Sequence, residues 1–144
     1  MEDKVGNETL EIMRTVEWYN NWLFSFIKDD CRGKILEVGA GIGNFTPLLT
    51  KKGKVYAVDY NKGYLKNLEK NLGDRVKVGY GDIEKGKLDF NNTKFDTIVC
   101  MNVLEHIRAD DKALKNMYNL LRKKGKLILL VPAFSIAFGR RRHF

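Results

Sequence analysis

Residues 35–43 read Ile-Leu-Glu-Val-Gly-Ala-Gly-Ile-Gly, and this run constrains the chain more than any other. A short apolar stretch holding Glu37 is followed by glycines at alternate positions, Gly39, Gly41 and Gly43. Such a pattern predicts a buried strand that turns sharply towards a helix. Glycine is needed where φ is positive or where a ligand approaches the backbone closely. Asp59 lies twenty residues beyond Gly39 and ends the next apolar run, Val55-Tyr56-Ala57-Val58. A carboxylate at that position accepts hydrogen bonds from a ribose diol. Together these features point to a site for an adenosine-containing ligand.

Two common nucleotide loops do not fit. The dinucleotide fingerprint G-x-G-x-x-G has its third glycine one residue later, where this chain has Asn44. A Walker loop fails because no Gly-Lys-Ser/Thr follows. The form Glu37-x-Gly39-x-Gly41-x-Gly43 instead resembles motif I of the class I S-adenosylmethionine-dependent methyltransferases, and the likeness extends over residues 15–132. Gly81-Asp82-Ile83 resembles the segment that meets adenine, residues 95–106 the fourth strand and its loop, and residues 120–132 the last helix end, turn and fifth strand. The nearest likeness is to the type 11/12 and ubiquinone-biosynthesis group of small methyltransferases.

The resemblance implies roles. Glu37 attracts the ammonium of S-adenosylmethionine, and the glycine loop admits its methionine part. Asp59, with Tyr60 beside it, holds the ribose. Asp82 meets the adenine amino group and Ile83 packs on its face. Asn102 bonds the methionine part, and Tyr19 in an N-terminal helical lid reaches the carboxylate. His106 is the candidate general base, with a pKa range suited to that work. Each residue also has a plainer reading: Glu37 an acid reaching solvent, Asp82 a turn former, Ile83 a core residue, Asn102 a cap, His106 a structural histidine, Tyr19 part of an aromatic core stripe. Glu105 beside His106 suggests a metal, but no third ligand stands at diagnostic spacing, so none is expected.

Length and composition bound the rest. The 144 residues suit one domain: a helical segment over 1–32, a core over 33–132 and a basic tail over 133–144. No apolar run reaches the roughly 18 residues that span a bilayer. The acidic, polar start does not resemble a secretory signal. Cys31 and Cys100 fall in different elements, and two unpaired thiols fit a reducing, cytoplasmic setting. The net charge of +8 permits RNA or another acidic partner, and equally fits a lysine-rich solvated surface.

Apolar and aromatic positions from Leu10 to Ile27 predict one amphipathic helix or two short ones. Strands are expected at 34–38, 54–59, 76–80, 95–101 and 126–131. Helices are expected from Asn44 or Thr46 to Gly53, from an Asn61 N-cap to Leu72, and from Asp110 to a stop at Gly125. Residues 84–94 read as a polar turn. Alternating strands and helices predict an α/β, Rossmann-like, doubly wound parallel sheet. The resemblance implies five strands in the order 3-2-1-4-5.

A methyl transfer to a small molecule is the leading functional expectation. RNA methylation rests on charge alone, and a third possibility is a non-catalytic, cofactor-binding assembly subunit. Twelve residues follow Pro132. They are too few for the helix and two strands that complete the family's sheet. Strand 126–131 is therefore expected to be an apolar edge, covered by a homodimer or a partner chain. Phe134, Phe138 and the Arg140-Arg141-Arg142-His143 cluster mark an expected acceptor side or a solvated tail.

Overall fold

The computed structural model describes residues 4–132, with side chains from residue 12 onward; the expectations placed on the Leu10 side chain and on 133–144 lie outside what is described. The elements run α1 (Lys4–Ile27), β1 (Gly33–Val38), α2 (Thr46–Leu49), β2 (Gly53–Asp59), α3 (Lys62–Leu72), β3 (Val76–Asp82), β4 (Lys87–Leu88), β5 (Phe95–Met101), a 3-10 turn (Leu104–His106), α4 (Asp110–Leu120) and β6 (Leu121–Leu130). They form one sheet in the order β4-β3-β2-β1-β5-β6. Five strands are parallel and follow the expected 3-2-1-4-5 order. The sixth is a correction: β4 pairs antiparallel with Gly81 and Asp82, inside the segment read as a polar turn.

Alternation along the strands fills two cores. Ile35, Val55, Ala57 and Val99 pack on one face with Leu49, Leu68 and Phe24. Leu36, Val38, Tyr56, Val58, Ile98 and Cys100 pack on the other with Ala113 and Met117 of α4. A sheet covered on both faces needs apolar side chains at successive positions, which explains the continuous apolar strands. Both cysteines are free and buried. Burial pushes the Cys31 thiol up to about 11 and the Cys100 thiol up to about 12, so both are protonated, inert packing groups.

Two local expectations are revised. The α1 stripe is mostly outside the core: Phe24 is buried and Leu23 and Ile27 pack against it, but Trp18, Trp22 and Phe26 are exposed. Those rings instead pack on one another, Trp18 stacked on Trp22 and Trp22 edge-on to Phe26 at 5.1 Å. Helix α4 stops at Leu120 rather than Gly125, because Leu121 turns extended and pairs with Phe95. A register shift follows before Lys126 pairs with Thr97, and Lys124 takes the left-handed φ of 65°. Arg122 holds this irregular start by reaching both carboxylate oxygens of Asp96, at 3.1 and 3.2 Å. By contrast, Asn61 caps α3 as its side chain predicts, accepting from Gly63 N at 2.9 Å and Tyr64 N at 3.3 Å.

Candidate cofactor site

The loop between β1 and α2 is built by hydrogen bonds to the end of β2. Gly39 N and Ala40 N both donate to the Val58 carbonyl, at 2.9 and 3.1 Å. Gly41 N donates to Asp59 Oδ2 at 2.9 Å, and Asn61 N to Asp59 Oδ1 at 2.8 Å. Asp59 is buried, and its two oxygens fix two loops at once. Each carboxylate oxygen keeps capacity for a second donor.

Gly41 has φ +58°, and a Cβ added there would meet nothing within 4 Å. The backbone therefore faces open space at the carboxyl end of β1, where the strand order reverses and such sheets bind ligands. That space is a cleft of about 360 Å³. Its wall includes Tyr19, Asn20, Glu37, Asn44, Tyr64 and Asn102. Among the described residues, Glu37 is the sole charged side chain on this wall.

Glu37 is buried and accepts a 2.6 Å hydrogen bond from Thr46 Oγ1 in the first turn of α2. Burial pushes its carboxyl up to about 7, opposed by the Thr46 bond and assisted by the nearby Asp59 charge. The group is thus poised to change charge near neutral pH.

The structure gathers Tyr19, Glu37, Gly39, Gly41 and Asn102 on the cleft, with Asp59 anchoring the loop behind it. Asn102 has φ 55° and donates its N–H to the Leu130 carbonyl at 2.8 Å, which fixes the loop after β5 against the end of β6. Gly43, Tyr60, Asp82, Ile83 and His106 lie off this wall. Asp82 accepts from Lys85 N at 3.0 Å and pairs with the Lys85 ammonium at 3.5 Å, as a turn former does. Ile83 is in the core. Tyr60 is 73% exposed. The His106 imidazole is exposed and lies 3.9 Å from Glu105 Oε1. Asn20, Asn44, Phe45, Tyr64 and Met101 join the cleft unannounced. Asn44 carries the one usable signal, because it occupies the fingerprint's third glycine position.

A family model described as a methyltransferase domain matches residues 36–129, and the chain belongs to that family. The ubiquinone/menaquinone biosynthesis C-methyltransferase UbiE of Escherichia coli O1:K1 / APEC is 33% identical over 113 residues, covering 70% of this chain and 45% of that protein. Its Haemophilus ducreyi counterpart is 30% identical, with 70% and 44% covered. The chain therefore spans less than half the length of these relatives. Among solved structures, the glycopeptide N-methyltransferase MtfA superposes with TM-score 0.65 at 25% identity, covering 79% of this chain and 52% of that one. An S-adenosylmethionine-dependent methyltransferase from Clostridium acetobutylicum gives TM-score 0.65 at 24% identity, covering 78% and 48%, and supports the fold.

Proposed function

We propose that this chain binds S-adenosylmethionine in the cleft at the end of β1 and transfers its methyl group to a small-molecule acceptor. The carrying observation is the cleft's charge: the buried acid Glu37 stands on a wall with no cationic side chain among the described residues. Such a site favours a cationic ligand bearing ammonium and sulfonium groups over a polyanion, which would face the Glu37 carboxylate with no cation beside it. It speaks equally against an RNA backbone at this cleft. Family membership and the solved structures of MtfA with S-adenosylmethionine and sinefungin support the same reading.

The bare Gly41 backbone and the carboxylates of Glu37 and Asp59 fit the cofactor's amino-acid and ribose parts. The cofactor supplies an activated methyl on sulfonium, so the protein needs no nucleophile of its own. Its residues hold the ligand, exclude water and orient the acceptor. Glu37, once ionised, faces the ammonium. Asp59 offers its remaining lone pairs to ribose hydroxyls and keeps Gly41 in place. Tyr19 and Asn102 bound the methionine end, while Asp82, Ile83 and Tyr60 flank the adenosine end. His106, on the turn after β5, takes the acceptor's proton.

A second reading, a cofactor-binding subunit without catalysis of its own, is favoured by one observation: His106 points off the cleft wall into solvent. We place the protein in the cytoplasm, on its two unpaired, buried cysteines; among the described residues no helix is long and apolar enough to cross a membrane. We further propose that β6, which pairs only with β5 among the described residues, is covered by a second copy or a partner chain.

Calorimetry with S-adenosylmethionine, S-adenosylhomocysteine and NAD tests the binding. The first two should bind and NAD should not; preferential NAD binding would overturn the assignment. Labelled-methyl transfer into a cell extract then separates enzyme from subunit, since binding without transfer supports the second reading.

A further inference from the structure

On the α4 face of the sheet, away from the cofactor cleft, the turn 83–87 and the first half of α4 enclose a groove of about 570 Å³. Lys85 and Lys87 stand on one wall, Lys112 and Lys115 on the other, with Glu84, Ala109 and Asn116 between them. The walls are rigidly joined. Asn116 Nδ2 donates to the Ile83 carbonyl at 2.8 Å and the Glu84 carbonyl at 3.3 Å. Ala109 N donates to Glu84 Oε1 at 2.9 Å, and a Cβ added at Gly86 would lie 3.1 Å from Asn116 Nδ2.

The charges in this groove are unbalanced. Glu84 accepts from the Ala109 N–H and keeps its charge, and Asp82 pairs with Lys85, so Lys87, Lys112 and Lys115 outweigh Glu84 and leave the lining positive. Among the described residues, Lys87, Lys112 and Lys115 have no carboxylate within ion-pairing distance. Three like charges held by rigid elements around one groove repel each other, and an anion between them relieves that repulsion. The lining has no aromatic ring on which a base could stack and no arginine fork. Recognition there reads charge rather than base identity. The groove is also the size of a small-ligand pocket, not an extended track.

We propose that this groove binds a small phosphate-bearing anion of pyrophosphate size. The site is independent of the methyltransferase reading. Lysine ammoniums act as point charges towards phosphate oxygens.

The test is a titration of the full ¹⁵N-labelled chain with inorganic pyrophosphate, followed by amide chemical shifts. Saturable shifts should cluster at Gly86, Ala109 and Lys112, and binding should weaken as salt rises. The double variant Lys112→Glu/Lys115→Glu should lose about tenfold or more in affinity. The variant Lys112→Arg/Lys115→Arg should retain binding. Lys66→Glu, an exposed lysine on α3, should change nothing. Shifts scattered over all lysine surfaces, an equal loss in Lys66→Glu, or no saturation would overturn the proposal. So would tighter binding of a single-stranded RNA oligonucleotide with shifts extending well beyond the groove, which would assign the face to RNA.

Discussion

Thr46 donates a 2.6 Å hydrogen bond to Glu37, joining the first turn of α2 to an acid buried near the carboxyl end of β1. The bond partly offsets a burial that pushes the carboxyl up from 4.5 to about 7. The folded pKa lies above the unfolded one, so the folded state holds a proton that the unfolded state releases. The associated stability is complete below about pH 4.5 and lost as pH rises through about 7, and its total is about 3 kcal/mol. Glu37→Gln removes that loss. Urea midpoints at pH 5 and pH 8 should therefore show the variant gaining on the wild type at the higher pH. A pH-independent difference would contradict the raised pKa.

Cofactor binding should pull the same proton off. An ammonium facing Glu37 favours the carboxylate, so affinity should rise with pH up to about 7 and level off above it. Below that pH, calorimetry in buffers of different ionisation enthalpy should detect a proton released on binding. The release should vanish in Glu37→Gln, together with much of the affinity. Proton release that persists in the variant would place the linked group elsewhere.

The glycines of the loop should separate by function. Gly41 and Gly43 both have positive φ, but an added Cβ finds open space at Gly41 and lies 2.5 Å from Leu68 Cδ2 at Gly43. Gly41→Val should leave the fold largely intact, at about 1–2 kcal/mol for the left-handed backbone, and abolish cofactor binding by filling ligand space. Gly43→Ala should instead lower the melting temperature, because the fully buried Leu68 must shift in a packed core and the left-handed φ of 84° is strained. Calorimetry and thermal unfolding on both variants check this; equal stability losses would remove the distinction.

These contrasts also show what could be read before the fold was known. The parallel strands follow from apolar runs separated by helical periods, their order from the family resemblance, and the Asn61 cap from local chemistry. The two-residue β4 has no periodic signal and exists only because Gly81 and Asp82 offer it a partner. The stop of α4 at Leu120 depends on Phe95, twenty-five residues earlier in sequence, not on the local Gly125. Gly41 could be expected at the cleft from the glycine spacing after an apolar strand, and Glu37 and Asn102 from the family resemblance, which puts them at strand ends. Asp82 and Ile83 follow the same rule by position, yet a turn and a core claim their side chains. The Thr46–Glu37 bond was not legible, since only the folded loop brings the two together.

Asp59 should affect both loop and ligand. Asp59→Ala leaves Gly41 N and Asn61 N without their acceptors, at a cost of about 1–3 kcal/mol in stability. Cofactor affinity should fall by a similar amount, through the lost ribose contacts and the loosened loop. Asp59→Asn, which keeps one acceptor oxygen, should lie between wild type and Asp59→Ala in both measurements. Unchanged stability and affinity in Asp59→Ala would remove the residue from the site.

His106 tests catalysis alone. Its imidazole stands off the cleft wall, so His106→Ala should leave cofactor affinity intact. Loss of a general base costs roughly 100-fold in turnover, measured as labelled-methyl transfer. A variant retaining most of its activity would return His106 to a structural role on the turn.

The last expectation concerns the open side of β6. Among the described residues this strand has β5 on one side and nothing on the other, and Leu129 and Val131 are 40% and 49% exposed. The apolar half of β6, residues 127–130, has unpaired backbone groups that are a template for another chain. If a second copy covers it, sedimentation at micromolar concentration should show a dimer. Leu129→Lys should shift the population to monomer, because a charge on an edge strand blocks pairing. A heteromeric partner would instead leave the purified chain aggregation-prone until that partner is added. A stable, soluble wild-type monomer with full methyl transfer would refute both forms of cover and leave the edge exposed by design.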